Sequence, residues 1–197
     1  MKNHKILGVD GKEYYIHRNI GVAGFLFRYY EGNLQVLANQ RGSGTSNHNY
    51  LWNCPCGFLD YDETLKMACI REIQEECKFI IDSNKISCFE INDSLTSYSQ
   101  NVSHRFYALL NKNDSINEIG IGTEGELNEI NDVKWINIQD INNYKWAFNH
   151  DYVIHSICLK KFKLGELYQL YNKIYYRFVK VLKKIIIKKI YSLKNCV

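Results

Sequence analysis

Three glutamates in the stretch Arg71-Glu-Ile-Gln-Glu-Glu76 carry the first chemical signal of this chain. On a helix Glu72, Glu75 and Glu76 stand at i, i+3 and i+4, which puts their Cβ atoms within about 6 Å of one another on one face. Three like charges held that close repel, and a cation relieves the repulsion. Hard carboxylate oxygens at such density suit Mg²⁺ or Mn²⁺. Arg71 offers part of the relief from within the chain, and Glu63, upstream of it, is the candidate for a bidentate pair. The Glu-x-x-Glu-Glu pattern alone is equally the mark of a solvated acidic helix face, so the wider context has to decide.

That context begins with the elements that must position the acids. Asp60 to Cys77 carries apolar residues at Leu65, Cys69 and Ile73, the spacing of one helix face, and predicts the helix that bears the glutamates. Gly21 to Tyr30 and Leu34 to Ala38 flank a Glu31-Gly32-Asn33 turn and predict a hairpin. Trp52 to Gly57 reads as a short extended stretch, and Lys85 to Phe89, His104 to Leu110 and Val133 to Ile138 as further strands. Strands mixed with helices predict an α/β or α+β domain.

Read together, Gly57, Glu63, Arg71, Glu72, Ile73, Glu75, Glu76 and Phe79 resemble the Nudix box. Its pattern is Gly, five residues, Glu, seven residues, Arg-Glu, an aliphatic, one residue, Glu-Glu, one residue, Gly and an aliphatic. Lys78 stands where the family has a glycine that ends the helix, and a non-glycine residue in a left-handed conformation there costs about 1 kcal/mol. The likeness covers roughly Gly21 to Ile157, with Pro55-Cys56-Gly57 as the turn before the box. Gln40-Arg41 is similar to the end of the strand before a substrate loop, and Val133-Lys134-Trp135 to a strand after the metal-side loop. The resemblance implies an α/β fold, the Nudix-type α/β/α sandwich with a mixed β-sheet, and hydrolysis of a diphosphate linkage in a nucleoside diphosphate derivative. It further implies that Glu72, Glu75, Glu76 and the Gly57 carbonyl hold one to three divalent metals.

An additional carboxylate usually reaches such a site from a loop. Glu124, Glu126 and Glu129 precede the Trp135 strand, and Glu129, six residues before that tryptophan, is the first choice as ligand or base, then Glu126. Arg41 and Arg105 each flank a strand end and are the candidates to meet phosphate. Trp52, Phe58 and Tyr61 are candidates to stack on a base, with rim packing as the alternative. Trp146-Ala-Phe-Asn-His-Asp-Tyr-Val-Ile154 is similar to an Ala-Phe-Asp-His stretch of Nudix proteins grouped with ADP-ribose hydrolases and related regulators, which tilts the substrate toward ADP-ribose or a nearby nucleotide sugar. His150 there is a substrate contact or a half-buried residue behind an Asn149 N-cap.

Charge divides the chain in two. Cys158 to Val197 has eleven Lys and Arg against Glu166, a net +10, while the remainder is net −6. The expected organisation is therefore a Nudix domain over residues 1–157 and a basic tail over 158–197. In the tail, Leu164, Leu167, Leu170, Ile174, Phe178, Val181 and Ile185 mark one long amphipathic helix. Its stripe, interleaved with tyrosines, is expected to pack on the domain or on a second copy in a homodimer, with a membrane surface or RNA as alternatives. Seven cysteines, with no Cys-x-x-Cys pair, read as reduced thiols, and Cys54-Pro-Cys56 lacks the second ligand pair zinc needs. Without an apolar signal core or an 18-residue apolar run, the expected location is the cytoplasm. The competing functional class is a catalytically silent module that senses a nucleotide and acts through its tail.

Overall fold

The computed structural model describes residues 4–16, 19–93, 101–111, 114, 118–122 and 128–162. The expected tail helix, and Glu124 and Glu126, lie outside the described residues. The chain divides into two compact units, Met1–Ile154 and His155–Val197. The first holds every β-strand among the described residues and the glutamate helix.

A hairpin of β1 (His4–Leu7) and β2 (Glu13–Ile16), unmarked by the sequence pattern, forms a sheet of its own. The main sheet is mixed and has seven strands. At its centre is β3 (Ile20–Tyr30), whose apolar residues are buried from Val22 to Phe27. Along one edge β3 runs parallel to β8 (Val102–Leu110), which pairs antiparallel with β7 (Ser87–Asn92). On the other edge it turns into β4 (Asn33–Arg41) through Glu31 and Gly32, whose φ values of 48° and 79° give the twist a two-residue hairpin requires. β4 pairs in turn with β9 (Ile130–Asn137).

The registry of β3 and β4 holds only from Phe27↔Val36 to Tyr30↔Asn33. Beyond it two short strands enter, β5 (Trp52–Asn53) against β4 and β6 (Cys56–Phe58) against β3, with Gly24 N–H donating to the Pro55 carbonyl at 2.9 Å. The sheet is thus parted where the chain leads into the glutamate helix.

That helix, α1 (Leu65–Cys77), starts at Thr64, whose hydroxyl accepts the Met67 N–H at 3.2 Å. Its inner face buries Ala68, Cys69, Ile73 and Cys77 in a core with Leu26, Leu37 and Phe106. Each large apolar side chain so buried contributes about 1.5–3 kcal/mol. The helix ends at Lys78, in the left-handed region at φ 55° and ψ 13°. The Lys78 N–H reaches the Gln74 carbonyl at 2.9 Å and the Gly120 N–H reaches that of Cys77 at 3.1 Å, so two terminal carbonyls are satisfied.

Two residues further on, a Cβ added at Gly122 would fall 1.3 Å from the Glu75 carbonyl oxygen, a backbone atom. Gly122→Ala is therefore expected to unseat this segment from α1 at a cost of about 2 kcal/mol or more, lowering Tm by about 4 °C or more. A thermal melt indistinguishable from wild type would contradict that.

α2 spans His150–Lys161 and crosses from one unit to the other. Six cysteines are free thiols among the described residues, and no described helix is long and apolar enough to cross a membrane.

Candidate active site on the glutamate helix

Arg71 organises the acidic face. Its Nε and Nη2 donate to Glu63 Oε2 and Oε1 at 3.1 and 2.8 Å, Nη2 also to the Phe58 carbonyl at 2.9 Å, and Nη1 to Glu72 Oε1 and Glu75 Oε2 at 2.8 and 2.9 Å. All five guanidinium N–H bonds are used, a pattern that a lysine's single ammonium would not reproduce. Glu63 also accepts the Asp60 N–H at 2.7 Å, tying the loop before the helix to the same arginine. Burial opposes ionisation of Glu63, but the Arg71 hydrogen bonds, the Asp60 N–H and the Arg71 charge outweigh it and leave its pKa lowered.

Glu76 is anchored differently. It lies on the buried side of α1, 6% exposed, and its Oε2 accepts from Asn39 Nδ2 on β4 at 2.7 Å and from the Cys56 N–H on β6 at 3.1 Å. Both donors come from the place where β5 and β6 part the sheet. Burial above all, then the charges of Glu72 and Glu129, raise the Glu76 pKa well above the usual carboxylate range, despite these hydrogen bonds.

Glu72 rests on Gly57. A Cβ at that glycine would lie 2.1 Å from Glu72 Oε1 and 2.3 Å from its Cδ, so only glycine lets β6 come this close to the carboxylate. Burial pushes the Glu72 pKa up to about 7 against the lowering by Arg71, with Glu75 and Glu129 adding to the rise. Glu129 thus acts on two of the three helix glutamates. Its backbone is held by Gly42, whose N–H donates to the Glu129 carbonyl at 2.6 Å.

The donor set is one of hard oxygens, with a glycine cradle beneath one of them, and it fits a divalent cation such as Mg²⁺ or Mn²⁺. Among the described residues, however, no three potential ligands converge at metal-binding spacing. The reason is visible in the hydrogen bonds. Glu72 and Glu75 each direct one oxygen to Arg71, and Glu76 directs one into the sheet.

The other expected contacts are placed less simply. Arg41 donates from Nε to the Asn47 carbonyl at 3.1 Å and lies 5.0 Å over the Phe148 ring, its terminal nitrogens without a hydrogen bond among the described residues. Arg105 is already paired with Glu90, Nη1 to Oε1 at 2.6 Å. Trp52 is 6% exposed, edge-on to Tyr144 at 5.5 Å and covered by the Lys134 ammonium, so its ring has no open face for a base. Phe58 is half-buried and contributes its carbonyl to Arg71, and Tyr61 is half-buried. His150 is fully buried rather than half-buried. Its Nδ1 accepts the Cys54 N–H at 3.0 Å, and burial, then the charges of Arg105 and Arg41, lower its pKa to about 3, so the ring is a neutral brace for the turn before Gly57. Asn149, at φ 57°, gives its carbonyl to the Val153 N–H.

Asn39 went unmarked in the sequence. The sequence shows it as one of three amides in the stretch Leu34 to Gln40, beside Gln35 and Gln40, and polarity inside a strand does not say what it bonds to.

The Nudix domain model matches residues 18–157, most of the chain. The chain belongs to the Nudix family. The Nudix box is the segment from Gly57 through α1 whose carboxylates are described above. Among solved structures, the Nudix domain of Shewanella oneidensis NrtR in complex with ADP-ribose matches with a TM-score of 0.57 and 26% identity, over 68% of this chain and 82% of that one. A bifunctional NMN adenylyltransferase/ADP-ribose pyrophosphatase from Francisella tularensis, with AMP and a manganese ion, matches at 0.55 and 25% identity, over 72% of this chain and 41% of that one. A MutT/Nudix family protein from Enterococcus faecalis shares the fold, at a TM-score of 0.60 and 17% identity, over 77% of this chain and 66% of that one. No curated protein matches the chain.

Proposed function

We propose that this Nudix protein is a metal-dependent pyrophosphohydrolase that cleaves the diphosphate linkage of a nucleoside diphosphate derivative, with ADP-ribose or a related nucleotide sugar as the preferred candidate. The observation that carries the reading is the intact acid set on α1. Glu72, Glu75 and Glu76 are all present, ordered by Arg71 and by the Asn39 and Cys56 donors, and burial makes the charges of Glu72 and Glu76 costly. Buried carboxylates of this kind lower stability, and a cation compensates them.

In this reading Glu72, Glu75, Glu76 and the Gly57 carbonyl hold Mg²⁺ or Mn²⁺, which supplies charge neutralisation at the diphosphate and a more acidic water. Glu129, close enough to act on both Glu72 and Glu76, is the group to take the proton of the attacking water. Arg41 turns its unbonded nitrogens to a phosphate oxygen. The ADP-ribose and the AMP with manganese in the two relatives support the choice of substrate and metal. The test is a panel of nucleoside diphosphate derivatives, ADP-ribose included, incubated with Mg²⁺ or Mn²⁺ and followed by AMP release. Hydrolysis of none of them overturns the reading.

A second reading, a nucleotide sensor without catalysis, draws on the NrtR relative, another structure of which holds a 27mer DNA. Binding of ADP-ribose in calorimetry without any turnover would favour it.

The metal reading also predicts a pH-dependent stabilisation. Glu72 and Glu76 have folded pKa values above the ordinary 4.5, so their stabilising protonated forms are lost as pH rises through about 7 for Glu72 and through the raised folded pKa of Glu76. A cation can offset that loss only where the carboxylates ionise. Mg²⁺ or Mn²⁺ at about 100 times its Kd should add about 2.7 kcal/mol at pH 8, a rise of about 5–10 °C in Tm, and much less at pH 5.5. An equal shift at both values would place the metal elsewhere.

A further inference from the structure

We propose that Asn39 is a positioning residue for Glu76, its amide and the Cys56 N–H together holding Oε2 so that Oε1 is presented to a divalent cation. The inference rests on the reading of Glu76 as a metal ligand.

Side chains two apart on a strand share a face. Leu37 packs in the core beneath α1, and Asn39, two residues on, lies on the same side and is wholly buried. An amide in such a position costs free energy unless its groups are bonded. Asn39 bonds only half of its own. Nδ2 donates to Glu76 at 2.7 Å, while Oδ1 is buried with no hydrogen-bond partner among the described residues. An ionised, metal-ready carboxylate only accepts, so the amide faces it with nitrogen.

The second donor is prepared in the same way. Asn53, the cross-strand partner of Asn39 on β5, gives Nδ2 to the Cys54 carbonyl at 3.0 Å and to Cys56 Sγ at 3.2 Å, and likewise leaves Oδ1 buried and unpartnered. It braces the turn that presents the Cys56 N–H to Glu76 at 3.1 Å. Both asparagines therefore pair their nitrogens and leave their oxygens unsatisfied, an arrangement that a structure optimised for stability alone would replace with apolar side chains. Both donors meet on Oε2, and Oε1 has no hydrogen bond among the described residues.

The test compares wild type, Asn39→Leu and Asn39→Ala in the full chain, measuring Mn²⁺ affinity of metal-free protein by electron paramagnetic resonance and Tm alongside. Partners of metal ligands typically contribute 10–100-fold in affinity, so Kd for Mn²⁺ should weaken by about that factor. The Leu variant, relieved of the unpartnered Oδ1, should keep its metal-free Tm. A merely structural asparagine would give the reverse, a lowered Tm with Kd unchanged, and a folded variant within twofold of wild-type Kd overturns the proposal. So does failure of both variants to fold, which would make the contact a brace for the sheet. Wild type that binds no Mn²⁺ would sink the metal reading itself, and this role with it.

Discussion

Glu76→Gln is expected to reduce turnover by about 10³-fold or more while leaving the fold intact, a loss of about 4 kcal/mol of transition-state stabilisation. Glutamine keeps an acceptor for Asn39 Nδ2 and the Cys56 N–H, so the internal anchor survives. It loses the negative charge that a cation needs. The same change should stabilise the metal-free protein, because Glu76 is buried beside Glu72 and Glu129 and its folded pKa is raised well above 4.5. Below pH 4.5 the wild-type carboxyl is protonated both folded and unfolded and the two proteins should melt alike. As pH rises through the folded pKa, wild type loses ground and the variant does not. At pH 8 a gain of about 1 kcal/mol or more, about 2–4 °C in Tm, should accompany the loss of turnover. A variant that retains a tenth of wild-type kcat would remove Glu76 from the active site, whatever its melting temperature.

Gly57→Ala should be nearly as damaging to activity by a different route. The new methyl would overlap the Glu72 carboxylate at 2.1 Å, and the group that can yield is the end of a flexible side chain rather than the backbone. Stability should change by only about 1 kcal/mol, since Gly57 has no positive φ to be strained. On the proposed metal reading, displacing the Glu72 carboxylate by about 1 Å costs about 10²-fold in rate, and kcat/KM should fall by at least that factor. Gly122→Ala makes the instructive contrast, because there the clash is with the Glu75 backbone and stability should suffer most. Kinetics and thermal melts on the two variants check both halves. Wild-type turnover in Gly57→Ala would mean that Glu72 does not need its present place.

The central elements were legible because their patterns are local. The apolar spacing of Leu65, Cys69 and Ile73 marked α1, and the Glu31-Gly32 turn marked the hairpin of β3 and β4. Glu63 and Arg71 were readable as partners because Glu63 directly precedes the N-cap of α1 and Arg71 lies within its second turn, and the structure adds Glu72 and Glu75 to the same guanidinium. The hairpin of β1 and β2 was not readable, since its pairing joins segments without an alternating pattern.

The motif of Gly57, Glu63, Arg71, Glu72, Glu75 and Glu76, by its resemblance to the Nudix box, pointed to the family and with it the fold, and 3.6 residues per turn placed Glu72, Glu75 and Glu76 on a shared face. Tertiary structure alone decided what each side chain can do. The parting of β3 from β4 brings Asn39, 37 residues distant, onto Glu76, and pairing with Glu90 commits Arg105. Burial takes the Trp52 ring out of reach and makes His150 a neutral brace. These outcomes depend on contacts between segments far apart in the chain and on how much water each group retains, and neither quantity is a property of local sequence.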